Sequence, residues 1–473
     1  MNAADATASG APEQAGRRPW GWMAAIFGVV LAAQLWLVAV AGTDIPYQDQ
    51  WDVEGGWLYP ATVDGSLQGT ELLRPHNEHR IVWTHALNLL LFKANGQWDP
   101  LVQMSAGAGL RAALAALLGG MILSTVSAAT RGWVALGVTV LFLPHLAWHN
   151  VLWGFQSQVY FVLLFSVAAL WLLAGERLSW RRQAAALALG MSALLAMGAG
   201  ALVPAAVGGL LLVRWAGRRP DVSALVPVLA LLGAAWVMRV AVPAHEALRP
   251  QTTAEALRTA VMFLSWPHVG QPLAALALNL PLLVTVATRV VGQRQTFAGE
   301  NFALALTGWG LACALAVAAM RGGGREFEHG VPSRYVDFVS MLVVGNVWLS
   351  AGAIHQVAGG QRKLARTGFF AWLAFLFVGW LGLSAQVWRG IVRPRAADRE
   401  APVRLAVEFQ RSGNAEVFAG QPLLFVPHPN PESIRRVLKD PRLEGKLPPS
   451  LQPERPVGPL SRAVRTVVGD GER

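Results

Sequence analysis

The chain has a single cysteine, Cys313, and few charged residues. One cysteine excludes an intrachain disulfide and a cysteine-based metal cluster. Charged residues make up 14% of the chain, whereas a typical soluble domain has about 25%. Hydrophobic residues make up 54%, and apolar runs recur between Trp20 and Val387. Because helices satisfy their own backbone hydrogen bonds in a bilayer, this composition predicts an all-α polytopic membrane protein with the lipid bilayer as a partner.

The net charge of +11 has a simpler explanation than nucleic-acid binding. Most arginines lie in short loops between apolar runs and in the C-terminal part of the chain. Short basic loops are retained on the cytoplasmic side of membrane proteins. We therefore interpret the charge as a topology signal and expect no nucleic-acid partner.

About eleven transmembrane helices are expected. The first apolar run, 20–42, is too long for the apolar region of a cleaved signal peptide, so we expect an uncleaved anchor after a cytoplasmic N-terminal tail, 1–19. No internal repeat is visible, which disfavours a transporter built from inverted repeats. The other ten expected spans are 101–128, 132–148, 158–174, 183–197, 200–213, 222–242, 270–288, 301–320, 335–355 and 367–387.

The run 81–94 decides the topology, because it is helical and apolar but has only about two-thirds of the length of a span. If it lies on the outer surface as an amphipathic helix, all short basic loops fall on one side of the membrane, the cytoplasmic side of Arg17 and Arg18. These loops carry Arg131, Arg177, Arg181, Arg182, Arg214, Arg218, Arg219, Arg289, Arg294, Arg362, Lys363 and Arg366.

This topology defines the expected domains. The transmembrane domain is 20–387 with a first outer loop at 43–100, and 388–473 is a small periplasmic module or tail. Within that tail we expect one strand-like run at 423–426 and one helix at 431–438. The outer side also receives 149–158, 243–269 and 321–334.

Carboxylates concentrate in the first outer loop. Asp49 lies among Tyr47, Trp51 and Trp57, which suggests an interfacial pocket and makes it the first candidate for a functional carboxylate. Asp52 is the second candidate. Solvated charge beside the membrane is the competing interpretation for Asp44, Asp52 and Glu54.

The next polar cluster is His76-Asn77-Glu78-His79-Arg80. His76, Glu78 and His79 have side chains that bind divalent metals, but their spacing matches no strong zinc pattern. Helix capping and surface hydrogen bonding are the competing roles. We therefore expect no certain cofactor and leave a divalent metal open.

Two other outer segments and one intramembrane arginine complete the candidate site. Trp153 and Gln156 suit sugar stacking and hydroxyl hydrogen bonds, although an interfacial aromatic belt has the same composition. Arg334, which precedes Tyr335 at the start of a span, suits a phosphate clamp, and a snorkelling arginine is the alternative. Arg111 lies within an apolar span, where a charge is costly and tends to face a cavity or a partner.

Four short motifs, together with the topology, resemble the GT-C superfamily of membrane glycosyltransferases. They are Gln50-Trp51-Asp52, His76-Asn77-Glu78-His79-Arg80, Trp153-Gly154-Phe155-Gln156 and Ser333-Arg334-Tyr335. The chain is most similar to a group of bacterial GT-C-like membrane proteins, and the resemblance covers most of 20–387. In that superfamily an acidic residue just after the first span serves the reaction, and amphipathic helices follow it along the membrane surface.

By position, Asp49 resembles that acid and 78–94 resembles one such helix. One departure concerns the acidic motif, which is often paired in the best-known members. Here Asp49 is flanked by Gln48 and Gln50. The resemblance therefore leaves open whether Asp49 or Asp52 is the base.

The resemblance implies a membrane glycosyltransferase, and the Ala- and Arg-rich composition suggests a bacterial source and hence the inner membrane. The donor would be a sugar on a polyprenyl phosphate, and the acceptor an envelope glycan, lipid or protein at the periplasmic face. Asp49 would take the acceptor proton, and Arg334, with Arg111 as a second candidate, would stabilise the phosphate. The remaining candidates for substrate binding are Tyr335, His76, Glu78, His79, Arg80, Trp153 and Gln156.

Two other classes of function stay open. A transporter or flippase of an anionic lipid-linked substrate predicts functional polar groups near the bilayer midplane, whereas the groups here concentrate in the outer segments. A non-catalytic GT-C-like scaffold of the envelope would need no functional carboxylate at Asp49.

Overall fold

A computed structural model describes residues 19–217, 222–292, 296–328, 330–357 and 359–469. Of the predicted topology signals, Arg17, Arg18, Arg218, Arg219 and Arg294 lie outside these residues, as does nearly all of the tail 1–19. Within the described ranges, strands are limited to one hairpin of two residues a side, β1 (Pro75–His76) and β2 (His79–Arg80). The prediction of an all-α protein is confirmed.

The described residues contain twenty α-helices, joined by short 3-10 and π-helical turns and loops. They are α1 (Trp20–Ala41), α2 (Asp49–Asp52), α3 (Tyr59–Val63), α4 (Val82–Asn95), α5 (Pro100–Leu123), α6 (Arg131–Leu141), α7 (Trp148–Val151), α8 (Ser157–Leu173), α9 (Trp180–Leu194), α10 (Val203–Ala216), α11 (Leu225–Val237), α12 (Thr253–Leu264), α13 (Pro272–Val291), α14 (Glu300–Arg321), α15 (Val336–Gln356), α16 (Gln361–Val387), α17 (Arg393–Ala397), α18 (Ala401–Ser412), α19 (Pro431–Leu438) and α20 (Pro459–Val468).

Nine helical stretches in the described ranges are long and apolar enough to cross a bilayer, so the chain is a polytopic membrane protein. Two of the predicted spans, 183–197 and 222–242, form the shorter helices α9 and α11, of 15 and 13 residues. At 1.5 Å per residue, each is shorter than the roughly 30 Å hydrocarbon core. The nine stretches are Trp20–Ala41, Pro100–Leu123, Ala128–Val151, Gly154–Leu173, Gly198–Ala216, Pro272–Val291, Glu300–Arg321, Ser333–Ile354 and Gln361–Ala397.

The main core of the bundle lies between α5, α8, α14 and α15, which bury most of their apolar side chains. Close packing of α14 on α15 depends on glycine. A Cβ atom on Gly310 would lie 2.7 Å from the backbone nitrogen of Leu342. Small residues let membrane helices approach each other this closely.

A second core joins the first outer loop to the C-terminal segment. Trp51, Leu58 and Trp98 from the loop pack with Phe409 and Ile434 from helices α18 and α19. The segment described to residue 469 therefore shares its hydrophobic core with the loop. The predicted helix 431–438 is confirmed as α19, but the predicted strand-like run 423–426 is wrong, because it forms turns on the way to that helix.

Helix α4 occupies the place of the predicted surface helix 81–94. It has 14 residues, about 21 Å, so its length is close to that of α9 and α11, and its contacts decide where it lies. Leu89 and Phe92 on one face are buried in the second core, whereas Leu90 on another face is 65% exposed. The helix is therefore packed between the outer loop and the bundle.

Candidate functional site

One cavity at an end of the bundle collects side chains that are far apart in the sequence. It has a volume of about 490 Å³ and is lined by the β1–β2 hairpin, the turn before α8, the turn before α10, the end of α14 and the start of α15. Eight of the predicted site residues line it, namely Asp49, His76, Glu78, His79, Trp153, Gln156, Arg334 and Tyr335.

The cavity has a polar rim and an apolar floor. The rim consists of the charged and amide side chains from the hairpin and the helix ends. The floor lies between the spans and includes Val159 from α8, Leu202 before α10, Val317 from α14 and Phe338 from α15. A ligand that combines a polar head with an apolar chain matches this division.

Asp49 is the first residue of α2 and is paired with a histidine from the hairpin. Its Oδ2 atom lies 3.2 Å from Nε2 of His76, and the side chains are 34% and 16% exposed respectively. The hairpin turn is formed by Asn77 and Glu78, and Asn77 has a positive φ of 51°, as tight hairpin turns require. This turn sets His76 opposite His79 in the strand register.

Glu78, at the tip of the hairpin, is held by an arginine and a histidine from other segments. It forms an ion pair with Arg321 at the end of α14, and its Oε2 atom lies 2.7 Å from Nδ1 of His245. Burial alone would raise the pKa of Glu78, but the charges of His79 and Arg321 and the hydrogen bond from Arg321 lower it to about 2. The carboxylate is therefore ionised at neutral pH.

His79 is neutral at the same pH. Burial lowers the pKa of its ring to about 4, against the opposing charge of Glu78. Its Nδ1 atom accepts a hydrogen bond from the backbone N–H of Gly198 at 3.2 Å. This contact leaves the proton of the neutral ring on Nε2.

Two arginines line the cavity, and each has a carboxylate partner. Arg321 is paired with Glu78, and Arg334 is paired with Glu326 and lies 5.0 Å from the centre of the Tyr335 ring. Arg321 was not among the predicted site residues. The sequence signal was present, because Arg321 ends an apolar span on the same predicted side as Arg334.

Trp153 contributes to an aromatic stack at the cavity wall. Its ring is near-parallel to those of His149 and Phe155, with centroids 5.1 and 5.9 Å away. The residue is only 7% exposed. Gln156 and Gln158 line the same wall with amide groups.

Three predicted site residues lie away from the cavity. Asp52 is paired with His428 of the C-terminal segment at 3.1 Å. Arg80 donates to the carbonyl oxygen of Leu73 at 2.6 Å. Arg111 is 1% exposed inside the bundle and binds Asp337 at 2.8 Å.

The interpretation of Asp44 and Glu54 as solvated charges is wrong. Asp44 is 2% exposed and accepts from Arg465 at 3.1 Å. Glu54 is fully buried, which raises its pKa to about 7 against hydrogen bonds that favour the ionised form. Those donors are the side chains of Gln103, Gln50, Trp98 and Asn88.

Among the described residues, no group of three or more His, Cys, Asp or Glu side chains is arranged to hold a metal ion. Comparison of the chain with protein-family models, with curated proteins and with solved structures finds no match.

Proposed function

We propose that the protein is a membrane glycosyltransferase that moves a sugar from a polyprenyl-phosphate donor to an envelope acceptor. The observation that carries this proposal is the composition of one cavity. It contains an accessible carboxylate, Asp49, two arginines, Arg321 and Arg334, and an apolar floor between membrane-spanning helices. A lipid-linked sugar has the matching parts, which are a hydroxyl-rich head, a phosphate and an apolar chain.

The proposed reaction needs one proton acceptor. Asp49 takes the proton of the acceptor hydroxyl, the acceptor oxygen forms a bond to the anomeric carbon, and the bond from that carbon to the phosphate oxygen breaks. The phosphate leaves as a stable anion, so the acidic carboxyl with which a glycoside hydrolase protonates its leaving group is not required. His76, at 3.2 Å, orients the Asp49 carboxylate.

Positive charge at the leaving phosphate is assigned to Arg334 and Arg321. In the present structure each arginine is bound to a carboxylate, Glu326 or Glu78. A phosphate that enters the cavity replaces these carboxylates as the partner, in the same charge-assisted geometry. Arg111, the second arginine of the initial hypothesis, is assigned no contact with substrate because Asp337 already binds it within the bundle.

We also propose that the chain crosses the membrane eleven times. Support comes from contacts at both ends of the short helices. Leu178, just before α9, donates to Ser223, just before α11, at 2.9 Å. At the cavity end, the carbonyl oxygen of Leu195 after α9 accepts from Val82, and His245 after α11 reaches Glu78.

These assignments agree with the resemblance to the GT-C superfamily. We place the cavity and the C-terminal segment on the periplasmic side of a bacterial inner membrane. The basic loops at the opposite end of the bundle, which contain Arg131, Arg177 and Arg362, are then cytoplasmic.

A deletion strain tests the activity. Glycans of the lipopolysaccharide, wall-polymer and glycoprotein fractions are compared by mass spectrometry after complementation with the wild type, Asp49→Asn or Asp64→Asn. Asp64 is a matched control because it lies on the same loop, outside the cavity. We expect one sugar to be lost in the deletion strain and restored by the wild type and Asp64→Asn only. Full rescue by Asp49→Asn at equal membrane abundance would favour a scaffold or transport role.

A further inference from the structure

The turn that carries Asp49 is in contact with the C-terminal segment at two points. The backbone N–H of Gln48 donates to the carbonyl oxygen of Pro427 at 2.7 Å. One turn of helix further, Oδ2 of Asp52 lies 3.1 Å from Nε2 of His428. Two consecutive residues of the C-terminal segment therefore hold both ends of α2.

Gln48 needs such support because its backbone is strained. It has φ 51° and ψ −125°, a combination that residues with a Cβ atom rarely adopt. Such conformations persist only where the surroundings over-determine them, and they are frequent at functional sites. Here the next residue is Asp49, so the direction of this one peptide sets where the carboxylate points.

The rest of the turn is fixed by the loop itself. The side-chain oxygen of Gln50 accepts from the backbone N–H of Tyr47 at 3.0 Å, and Nε1 of Trp51 donates to the carbonyl oxygen of Pro46 at 2.7 Å. These contacts leave the N–H of Gln48 to be satisfied from outside the loop. Pro427 supplies that acceptor.

Pro427 and His428 are themselves held in place. His428 is 7% exposed, and its Nδ1 atom lies within hydrogen-bond distance of both backbone groups of Asn430, 2.9 Å from the carbonyl oxygen and 3.0 Å from the nitrogen. Helix α19 follows directly and packs tightly against the loop, since a Cβ atom on Gly55 would lie 2.8 Å from Val437. The segment therefore presents a fixed carbonyl group and a fixed imidazole to the turn.

We infer that Pro427 and His428 are positioning residues for Asp49. The C-terminal segment therefore helps to orient the carboxylate of the proposed transferase site. This inference rests on the proposed function. His428 acts through Asp52 and the α2 turn and has no assigned contact with substrate. Asp52 then holds the α2 turn through its contact with His428 and does not act as a second base.

The link between Asp52 and His428 depends on pH. Burial alone would lower the pKa of His428. The hydrogen bonds to Asp52 and to the carbonyl oxygen of Asn430, together with the charges of Asp52 and Asp49, raise this pKa above its ordinary value of 6.5. The hydrogen bond from His428 lowers the pKa of Asp52 below 3.8, against burial, and Ser433 and Arg436 on α19 act in the same direction. The contribution of protonated His428 to the stability of the fold is thus complete below pH 6.5 and is lost as pH rises through the raised pKa of His428. The contribution of ionised Asp52 is lost only in acid, as pH falls through the lowered pKa of Asp52.

Hydrogen–deuterium exchange of the full-length protein in detergent tests the positioning directly. His428→Ala is expected to speed exchange in peptides that cover 44–53 and to leave peptides of α18 and α20 unchanged. Arg442→Ala is the matched control, because it removes another ion pair between the C-terminal segment and the loop, to Asp64, away from the cavity. Equal protection of 44–53 in His428→Ala and the wild type would overturn the inference, as would faster exchange throughout 388–469.

Activity separates this inference from the proposed function. In a transfer assay, His428→Ala should lower kcat by about 10- to 100-fold with little change in KM, since a misplaced catalytic group costs this much. The loss of the His428 charge predicts that kcat of the wild type falls as pH rises through the pKa of His428. His428→Gln keeps an N–H donor towards Asp52, so it should recover much of kcat and should not show this fall. An inactive wild type would defeat the transferase proposal while the exchange data still decide the positioning. An unchanged kcat and pH profile in His428→Ala would defeat the positioning alone.

Discussion

Arg111 lies within an apolar run and Arg321 directly follows one, and the two side chains have different surroundings in the structure. Arg321 reaches the cavity, whereas Arg111 donates through Nε and Nη2 to Oδ1 of Asp337, whose Oδ2 accepts from Asn150 at 2.9 Å. Removing one member of such a buried pair leaves an uncompensated charge. The role of Arg111 is therefore in the stability of the bundle.

We predict that Arg111→Met destabilises the protein by about 3–5 kcal/mol, because Asp337 loses its partner. The double variant Arg111→Met/Asp337→Leu should recover most of that loss, since no buried charge remains. Thermal unfolding of the full-length protein in detergent measures both. A stable but inactive Arg111→Met variant would instead return Arg111 to the substrate site.

At the scale of single residues, the sequence could predict which segments lie close together, but not which of their side chains form ion pairs. Asp49, His76 and Arg334 were identified from position, because polar residues that follow apolar spans on one side must gather there. The ion pairs of Glu78 with Arg321 and of Asp52 with His428 join residues 243 and 376 positions apart. Local patterns carry no information on such pairings.

At the scale of secondary-structure elements, ion pairs of helix α20 attach the C-terminal segment to the bundle. Arg465 of α20 lies 3.1 Å from Asp44 and 3.3 Å from Asp99, the N-cap of α5. Burial and the charge of Asp44 raise the pKa of Asp99 to about 6, and Arg465 opposes this rise. One cation thus offsets two buried carboxylates.

Arg465→Met is expected to destabilise the protein by about 3 kcal/mol at pH 8 and by clearly less at pH 5. The folded protein loses stability as pH rises from 3.8, the ordinary pKa of Asp99, through its raised folded pKa, because a buried carboxyl must then ionise. Without Arg465 the folded pKa of Asp99 rises further, and this loss of stability becomes larger. Chemical unfolding at the two pH values measures the difference. Arg442→Met, which removes exposed ion pairs with Asp64 and Asp440, should cost little at both pH values. A loss that is the same at pH 5 and pH 8 would contradict the role of Arg465.

The helices were more predictable than the C-terminal segment. Most spans follow from apolar runs, and α19 follows from Pro431 at its start and an amphipathic pattern. The run 423–426 is apolar, but it has no partner strand and forms turns. The joint core with the first outer loop could not be foreseen, because apolar residues on each side indicate that a surface is covered but not which distant segment covers it.

For the whole molecule, the cavity and the C-terminal segment lie at one end and the basic loops at the other. Cys313 is buried in α14 but lines the cavity, so the single cysteines of this test are introduced together with Cys313→Ala. We predict that Ser66→Cys is labelled by a membrane-impermeant maleimide in intact spheroplasts, and that Gln361→Cys is labelled only after permeabilisation. Both native residues are exposed in the structure. Labelling of both variants, or of Gln361→Cys alone, in intact spheroplasts would overturn the topology.

The central claim is that sugar leaves polyprenyl phosphate in this cavity with Asp49 as the base. The most direct measurement incubates the purified protein with lipid and envelope fractions from the deletion strain, where the unused donor accumulates, and follows polyprenyl-phosphate species by mass spectrometry. The wild type should convert one sugar-bearing species to free polyprenyl phosphate, and Asp49→Asn should do so about 100- to 10,000-fold more slowly, as loss of a general base predicts. Equal conversion by both proteins, or no conversion by the wild type, would contradict the account.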